Sequence, residues 1–189
     1  IGIAAVKLLE EAGCEVVVPE TQTCCGQPGW NSGDRASARL LAQKLIAEFE
    51  GCDFVVVPSG SCAGMVKVHF AELFPGEGDW LERAERLARK TYELTDFLVS
   101  VAGIARVPGE YTGTVTYHDS CSGLRELGVK RQPRALLGKM PGVQLKEMKD
   151  AETCCGFGGT FSVKFGEISA AMAQAKCERV QQSGAGAVV

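Results

Sequence analysis

Two pairs of adjacent cysteines stand out among the nine in this chain: "TCCGQPGW" sets Cys24 beside Cys25, and "TCCGFGGT" sets Cys154 beside Cys155. Neighbouring residues in ordinary trans geometry hold their Cα atoms too close for a disulfide, so neither doublet is explained by a bridge within itself. Thiolates bind soft metals or act as nucleophiles, and both uses gather sulfur at one point. The cysteine count is odd, the chain exceeds a disulfide scaffold, and no secretory pattern is visible, which favours a reduced, cytoplasmic protein whose thiols bind metal or react. Cys14, Cys52 and Cys177 read more simply as small hydrophobic residues: the first starts a strand pattern, the second precedes one and the third falls inside a helix.

The doublets belong to a longer repeat, Cys24 and Cys154 being 130 residues apart. Before the first lies "KLLEEAGCEVVVPETQ", a helix end, a glycine and a β-branched strand; before the second, "ALLGKMPGVQLKEMKDAE" has the same order. After them the pattern predicts helices over about 34–50 and 165–182, then the strands "DFVVVP" and "AVV". Strands alternating with helices imply an α/β fold of two pseudo-symmetric units, each with a small parallel sheet flanked by helices. The expected division is a first unit over 1–75, a linking helix within 76–112 and a second unit over 113–189. For that linker, "DWLERAERLARKTYELTDFLVSVAG" (79–103) lines Trp80, Ala84, Leu87, Thr91, Leu94, Leu98 and Val101 along one face, with Glu82–Arg86 and Glu85–Arg89 at i,i+4.

In such folds functional loops sit at the carboxyl ends of strands. Cys24 and Cys25 follow "CEVVVP", Cys62 follows "FVVVP" and Cys121 follows "TVTYHDS". One unit can therefore bring an early cysteine, a doublet and a late cysteine together, a thiolate set suited to zinc or to an iron–sulfur cluster. A doublet can aim its sulfurs at different metal atoms, which favours a cluster over a single tetrahedral zinc. Gly26 and Gly156 let the backbone turn tightly, so that its amides approach the sulfurs. The run "GFGGT" (156–160) lacks the Gly-Lys-Ser/Thr ending of a phosphate loop. His118, in "YHDSC", is either a residue beside the metal or a structural histidine bonded to Asp119, and His69 reads as a helix-surface residue. "RELGVKRQPR" (125–134) is either a solvated basic face or a dock for an acidic partner.

The stretches "GIAAVKLLEEAGCEVVVPETQTCCGQP", "VVVPSGSCAGMV", "VTYHDSCSGLRELGVKRQPRALL" and "CCGFGGTFSVKF" resemble the cysteine-rich CCG-domain proteins, and more narrowly the lactate utilization protein A family. The resemblance implies an iron–sulfur, electron-transferring component of a cytoplasmic complex oxidising L-lactate to pyruvate beside other subunits. It also implies [4Fe–4S] ligation by Cys24, Cys25 and Cys62 in the first site and by Cys121, Cys154 and Cys155 in the second, with Gly26, Gly156, His118 and Ser59 nearby. The iron–sulfur subunit of glycolate oxidase and the B subunit of heterodisulfide reductase share the motif. Here Ser59 stands where the heterodisulfide reductase pattern has the first cysteine of its Cys-x-x-Cys ending, so a four-thiolate cluster is expected rather than a five-cysteine one.

Cys121 precedes Cys154 by 33 residues and Cys62 follows Cys25 by 37. The repeat thus expects a fourth ligand some ten residues before Ile1 and another near position 192, and residues 1–189 alone are expected to hold no cluster or adventitious zinc. Of the 189 residues, 46% are hydrophobic and 23% charged, with a formal net charge of −3. That balance does not suggest a nucleic-acid partner, and no apolar run approaches the roughly 18–20 residues of a membrane span. No flavin or nicotinamide fingerprint is present. Two other function classes remain open: a zinc-stabilised structural or assembly module, and direct thiol chemistry on a disulfide.

Overall fold

A computed structural model describes residues 1–189. In the first unit, α1 (Gly2–Glu11) precedes the first doublet, which is followed by α2 (Gln27–Ser32), α3 (Arg35–Phe49), β1 (Val55–Val57) and α4 (Gly60–Gly64). Asp34 caps α3 by accepting from the Ser37 amide at 3.0 Å, satisfying a helix-end donor that would otherwise be orphaned. From α4 the chain continues through a π-helical turn (Met65–His69) and a 3₁₀ turn (Ala71–Leu73) into α5 (Gly78–Lys90). The second unit contains β3 (Gly113–Thr116), α7 (Cys121–Arg125), α8 (Arg131–Gly138), β4 (Val143–Leu145), α9 (Thr160–Lys164), α10 (Gly166–Ser183) and β5 (Ala187–Val188). Between the units lie β2 (Thr91–Glu93) and α6 (Leu94–Asp96), the latter running into a π-helical turn over Phe97–Val101.

The linker corrects the sequence reading. It is helix, strand and helix, not one continuous helix over 79–103. The first part holds: Trp80, Ala84 and Leu87 pack inward, and Glu82 pairs with Arg86 at 2.7 Å. At Thr91 tertiary pairing overrides helical periodicity, because β1 takes β2 as a parallel neighbour with Val55 opposite Thr91 and Val57 opposite Glu93. The ladder satisfies backbone groups that β1 would otherwise leave open. Thr91 is fully buried and its hydroxyl donates to the Leu87 carbonyl at 2.8 Å, closing off the helix end.

Three parallel strands form the other sheet in the order β4-β3-β5, with Val115 opposite both Leu145 and Ala187. The first sheet has only β1 and β2. A second correction concerns "CEVVVP": residues 14–19 form no strand, and Val17 and Val18 are exposed. Neither sheet includes this segment, and β-branched composition without a hydrogen-bonded neighbour does not make a strand.

The larger apolar core lies in the first unit, where α3 packs against α5 and the Met65–Phe74 segment through Ala38, Ile46, Phe70, Phe74 and Leu87. A smaller one joins α1, the linker and α8 through Leu9, Phe97, Leu98 and Leu136. The units meet where α4 crosses α7. No helix is long and apolar enough to cross a membrane.

Candidate metal centres

Each doublet is set by the same local geometry. Gly26 has φ +84° and Gly156 φ +86°, in the left-handed region that favours glycine. That turn brings the Gly26 amide 3.5 Å from Cys24 Sγ and the Gly156 amide 3.4 Å from Cys154 Sγ. A Cβ on Gly26 would point at the Ala38 carbonyl of α3 at 3.2 Å, and one on Gly156 at the Ser169 carbonyl of α10 at 2.6 Å. The glycines therefore let each doublet seat directly on the helix that follows it.

The third cysteine of each set comes from a short helix behind a strand. Cys62 lies in α4, whose N-cap Ser59 accepts from the Cys62 amide at 3.4 Å; Cys121 opens α7, where Ser120 accepts from the Gly123 amide at 3.2 Å. In the first unit the Cys25 and Cys62 thiols lie close enough to interact directly. That interaction and then burial push the Cys25 thiol up; the same interaction draws Cys62 down against its own burial, and the Ser59 and Ser61 hydroxyls lower it further. In the second unit burial and then the Cys154 sulfur push Cys121 up, against the nearby Arg125 guanidinium. Cys24 and Cys155 stand close enough to act on these pairs through their charge. All nine thiols are free, and no three His, Cys, Asp or Glu side chains close around one point tightly enough for a metal ion. The donors are soft, paired and supported by amides, which suits a polynuclear cluster better than one small ion.

The remaining sequence candidates fall as follows. His118 does not bond Asp119; its Nδ1 lies 3.2 Å from the Ala151 carbonyl, in the loop leading to the second doublet. Asp119, fully buried, is instead held by Arg134 at 2.7 and 2.8 Å. The basic stretch is thus partly internal: Arg134 also reaches Glu147 at 2.5 Å, and Lys130 pairs with Glu152. His69 is not a free surface residue. Its ring lies tilted against Trp30, with centroids 5.1 Å apart, and faces Glu72 at 2.9 Å and Glu126 of the second unit at 3.7 Å. Cys14 and Cys52 are half-buried and Cys177 is exposed. An open cleft of about 790 Å³ adjoins Cys154 and is bordered by Asp119, Arg125, Lys130, Arg134 and Thr153.

Sequence reasoning missed Ser61, and it missed Lys176, a buried lysine of α10 that donates to the Asp150 and Ala151 carbonyls at 3.0 and 3.1 Å. Aligning the repeat through α3 and α10, rather than through the doublets alone, is the signal that exposes Lys176.

Residues 1–67 and 115–189 match the family model described as the CCG cysteine-rich domain. The chain is similar to lactate utilization protein A of Geobacillus thermodenitrificans, with 47% identity over 182 residues, 96% of this chain and 76% of that protein. It is similar to lactate utilization protein A 2 of Bacillus cereus strain Q1, with 41% identity over 189 residues, 100% of this chain and 78% of that protein. The chain belongs to the lactate utilization protein A family.

The relative from Anoxybacillus flavithermus, 46% identical over 182 residues, covers 96% of this chain and 76% of its own length. Within this family member each matched segment holds three of the six candidate ligands. Cys24, Cys25 and Cys62 fall in the first and Cys121, Cys154 and Cys155 in the second, while the intervening residues 68–114 contain no cysteine.

Proposed function

We propose that this chain is the iron–sulfur component of a cytoplasmic system that oxidises L-lactate to pyruvate, acting beside other subunits of that system. The names of its relatives support the process. The observation that carries the cofactor is the duplication itself: two thiol sets, each a doublet seated by a left-handed glycine beside a cysteine from a strand-end helix. Cys24, Cys25 and Cys62 supply three thiolates of one cluster and Cys121, Cys154 and Cys155 three of the other, within units spanning 1–75 and 113–189. When bound, [4Fe–4S] clusters supply reversible one-electron chemistry. The chain's own groups prepare the sites. The Gly26 and Gly156 amides donate to sulfur, the Ser59 and Ser61 hydroxyls lie near Cys62, and burial around Cys25 limits access of water.

The test is anaerobic reconstitution of the full-length protein with iron and sulfide, read by iron per chain, EPR and lactate-dependent dye reduction with its partner subunits. Colour, iron and an EPR signal are the expected result. A colourless protein that takes up zinc and no iron selects the structural module instead. A second reading, thiol chemistry on a disulfide, draws on the cleft at Cys154; it requires disulfide-dependent turnover by the reconstituted protein.

A further inference from the structure

The two cysteine sets share backbone geometry but not electrostatics. The Cβ directions at the two glycines establish how the following helices correspond: Gly26 meets the Ala38 carbonyl and Leu41 Cβ, and Gly156 meets the Ser169 carbonyl and Met172 Cβ. Continuing that register along α3 and α10 puts Lys176 where the first unit has Leu45. Leu45 is 7% exposed and Lys176 is 6% exposed. At this buried position one unit places hydrocarbon and the other an ammonium, so only the second unit buries the charge.

That ammonium is built in. Its Nζ donates to the Asp150 and Ala151 carbonyls at 3.0 and 3.1 Å, just before Cys154 and Cys155, and His118 shares the Ala151 carbonyl. Burial and then Arg179 push the lysine down, while Cys155, Asp119 and Asp150 favour its charged form. The acidic neighbours are engaged by other cations, Asp119 by Arg134 at 2.7 Å and Asp150 by Arg179 at 3.4 Å. Arg125 adds a second positive charge near Cys121. The first unit also sets a lysine on the carbonyl three residues before its doublet, Lys44 on Thr21, but Lys44 is exposed and water screens its charge, whereas Lys176 is buried. The groups that shift Cys25 and Cys62 are the other thiols, the Ser59 and Ser61 hydroxyls and the Gln27 amide.

A reduced cluster carries one more negative charge than an oxidised one, so net charge and hydrogen bonding around the sulfurs set its potential. The field of a whole charge falls off more slowly than that of a hydroxyl dipole and is strengthened away from water. We propose that Lys176 makes the Cys121/Cys154/Cys155 site the higher-potential of the two, so that at equilibrium it is reduced before the Cys24/Cys25/Cys62 site. The inference rests on the iron–sulfur reading.

Redox titration followed by EPR tests it in the reconstituted full-length protein. Loss of a signal in Cys155→Ser or in Cys25→Ser assigns each signal to its site. In the wild type the second-site signal should titrate at the higher potential. Lys176→Met, which keeps length and removes charge, should lower it by at least a tenfold change in the reduced-to-oxidised ratio, about 59 mV for a one-electron couple. Lys176→Arg should restore it, and the first-site signal should stay in place throughout. A reversed order in the wild type overturns the inference without needing any Lys176 variant to fold. So does a loaded Lys176→Met that titrates like the wild type, or one in which both signals move together. Wild-type protein that takes up no iron overturns the iron–sulfur reading as well, which separates the two failures.

Discussion

Gly60 and Gly123 press the two units together: a Cβ on Gly60 would stand 2.8 Å from the Gly123 nitrogen and 2.9 Å from its Cα. These glycines lie in α4 and α7, the helices that carry Cys62 and Cys121. Gly60→Ala therefore drives backbone from backbone. It should cost about 1–3 kcal/mol, the range for overpacking. Gly138→Ala is the control, since a Cβ there meets nothing within 4 Å, and it should gain up to about 1 kcal/mol. Urea midpoints of both variants check this, and equal midpoints would sink it.

The Asp119 carboxylate, fully buried, depends on Arg134, whose side chain is 19% exposed. Arg134→Met leaves a buried charge without its partner and should destabilise by about 3–5 kcal/mol. Adding Asp119→Asn removes that charge and should recover most of the loss. A double variant no more stable than Arg134→Met would show that the pair does not account for the effect. Equilibrium unfolding at neutral pH is the measurement.

His118 supplies a pH dependence. Burial, and then the positive charge of Lys176, hold its folded-state value below the ordinary 6.5. The unfolded chain therefore takes up the proton first as pH falls. The stabilising contribution is complete above the unfolded value of about 6.5 and is lost as pH drops through the lower folded value. His118→Gln should flatten that part of the stability–pH profile. Unfolding free energies measured between pH 7.5 and 5 test this in the metal-free protein, and an unchanged slope would count against His118.

Among the cysteines, Cys155→Ser should lower iron per chain and stop lactate-dependent dye reduction, because the proposed function makes its sulfur a cluster ligand. Cys177→Ser should do neither. Cys177 is exposed on α10, so its substitution should stay within about 0.5 kcal/mol of the wild type. Iron assay and dye reduction on both variants decide it; equal iron loss would show that the assignment of ligands is wrong.

Much of this protein was legible in one dimension because the determining interactions are local. The β-branched run "VVV", the Asp34 cap with its helix and the glycines after each doublet act within a few residues of themselves, so sequence alone determined β1, α3, α10 and the turns at Gly26 and Gly156. The 130-residue repeat likewise revealed two equivalent cysteine sets before any contact was known. Other features depend on what lies across the fold. Thr91–Glu93 left the helical pattern because β1 offered a ladder, whereas residues 14–19, stronger in β-branched composition, found none. Arg134 looked like a solvated cation until tertiary packing set it against Asp119. Lys176 occupies a helix position whose periodicity says little about its surroundings, and only packing against the Asp150–Ala151 carbonyls makes it a buried charge at the loop that leads to the second doublet. Sequence determined where the thiols fall along the chain; tertiary structure decided what surrounds them, because charge and burial act through space.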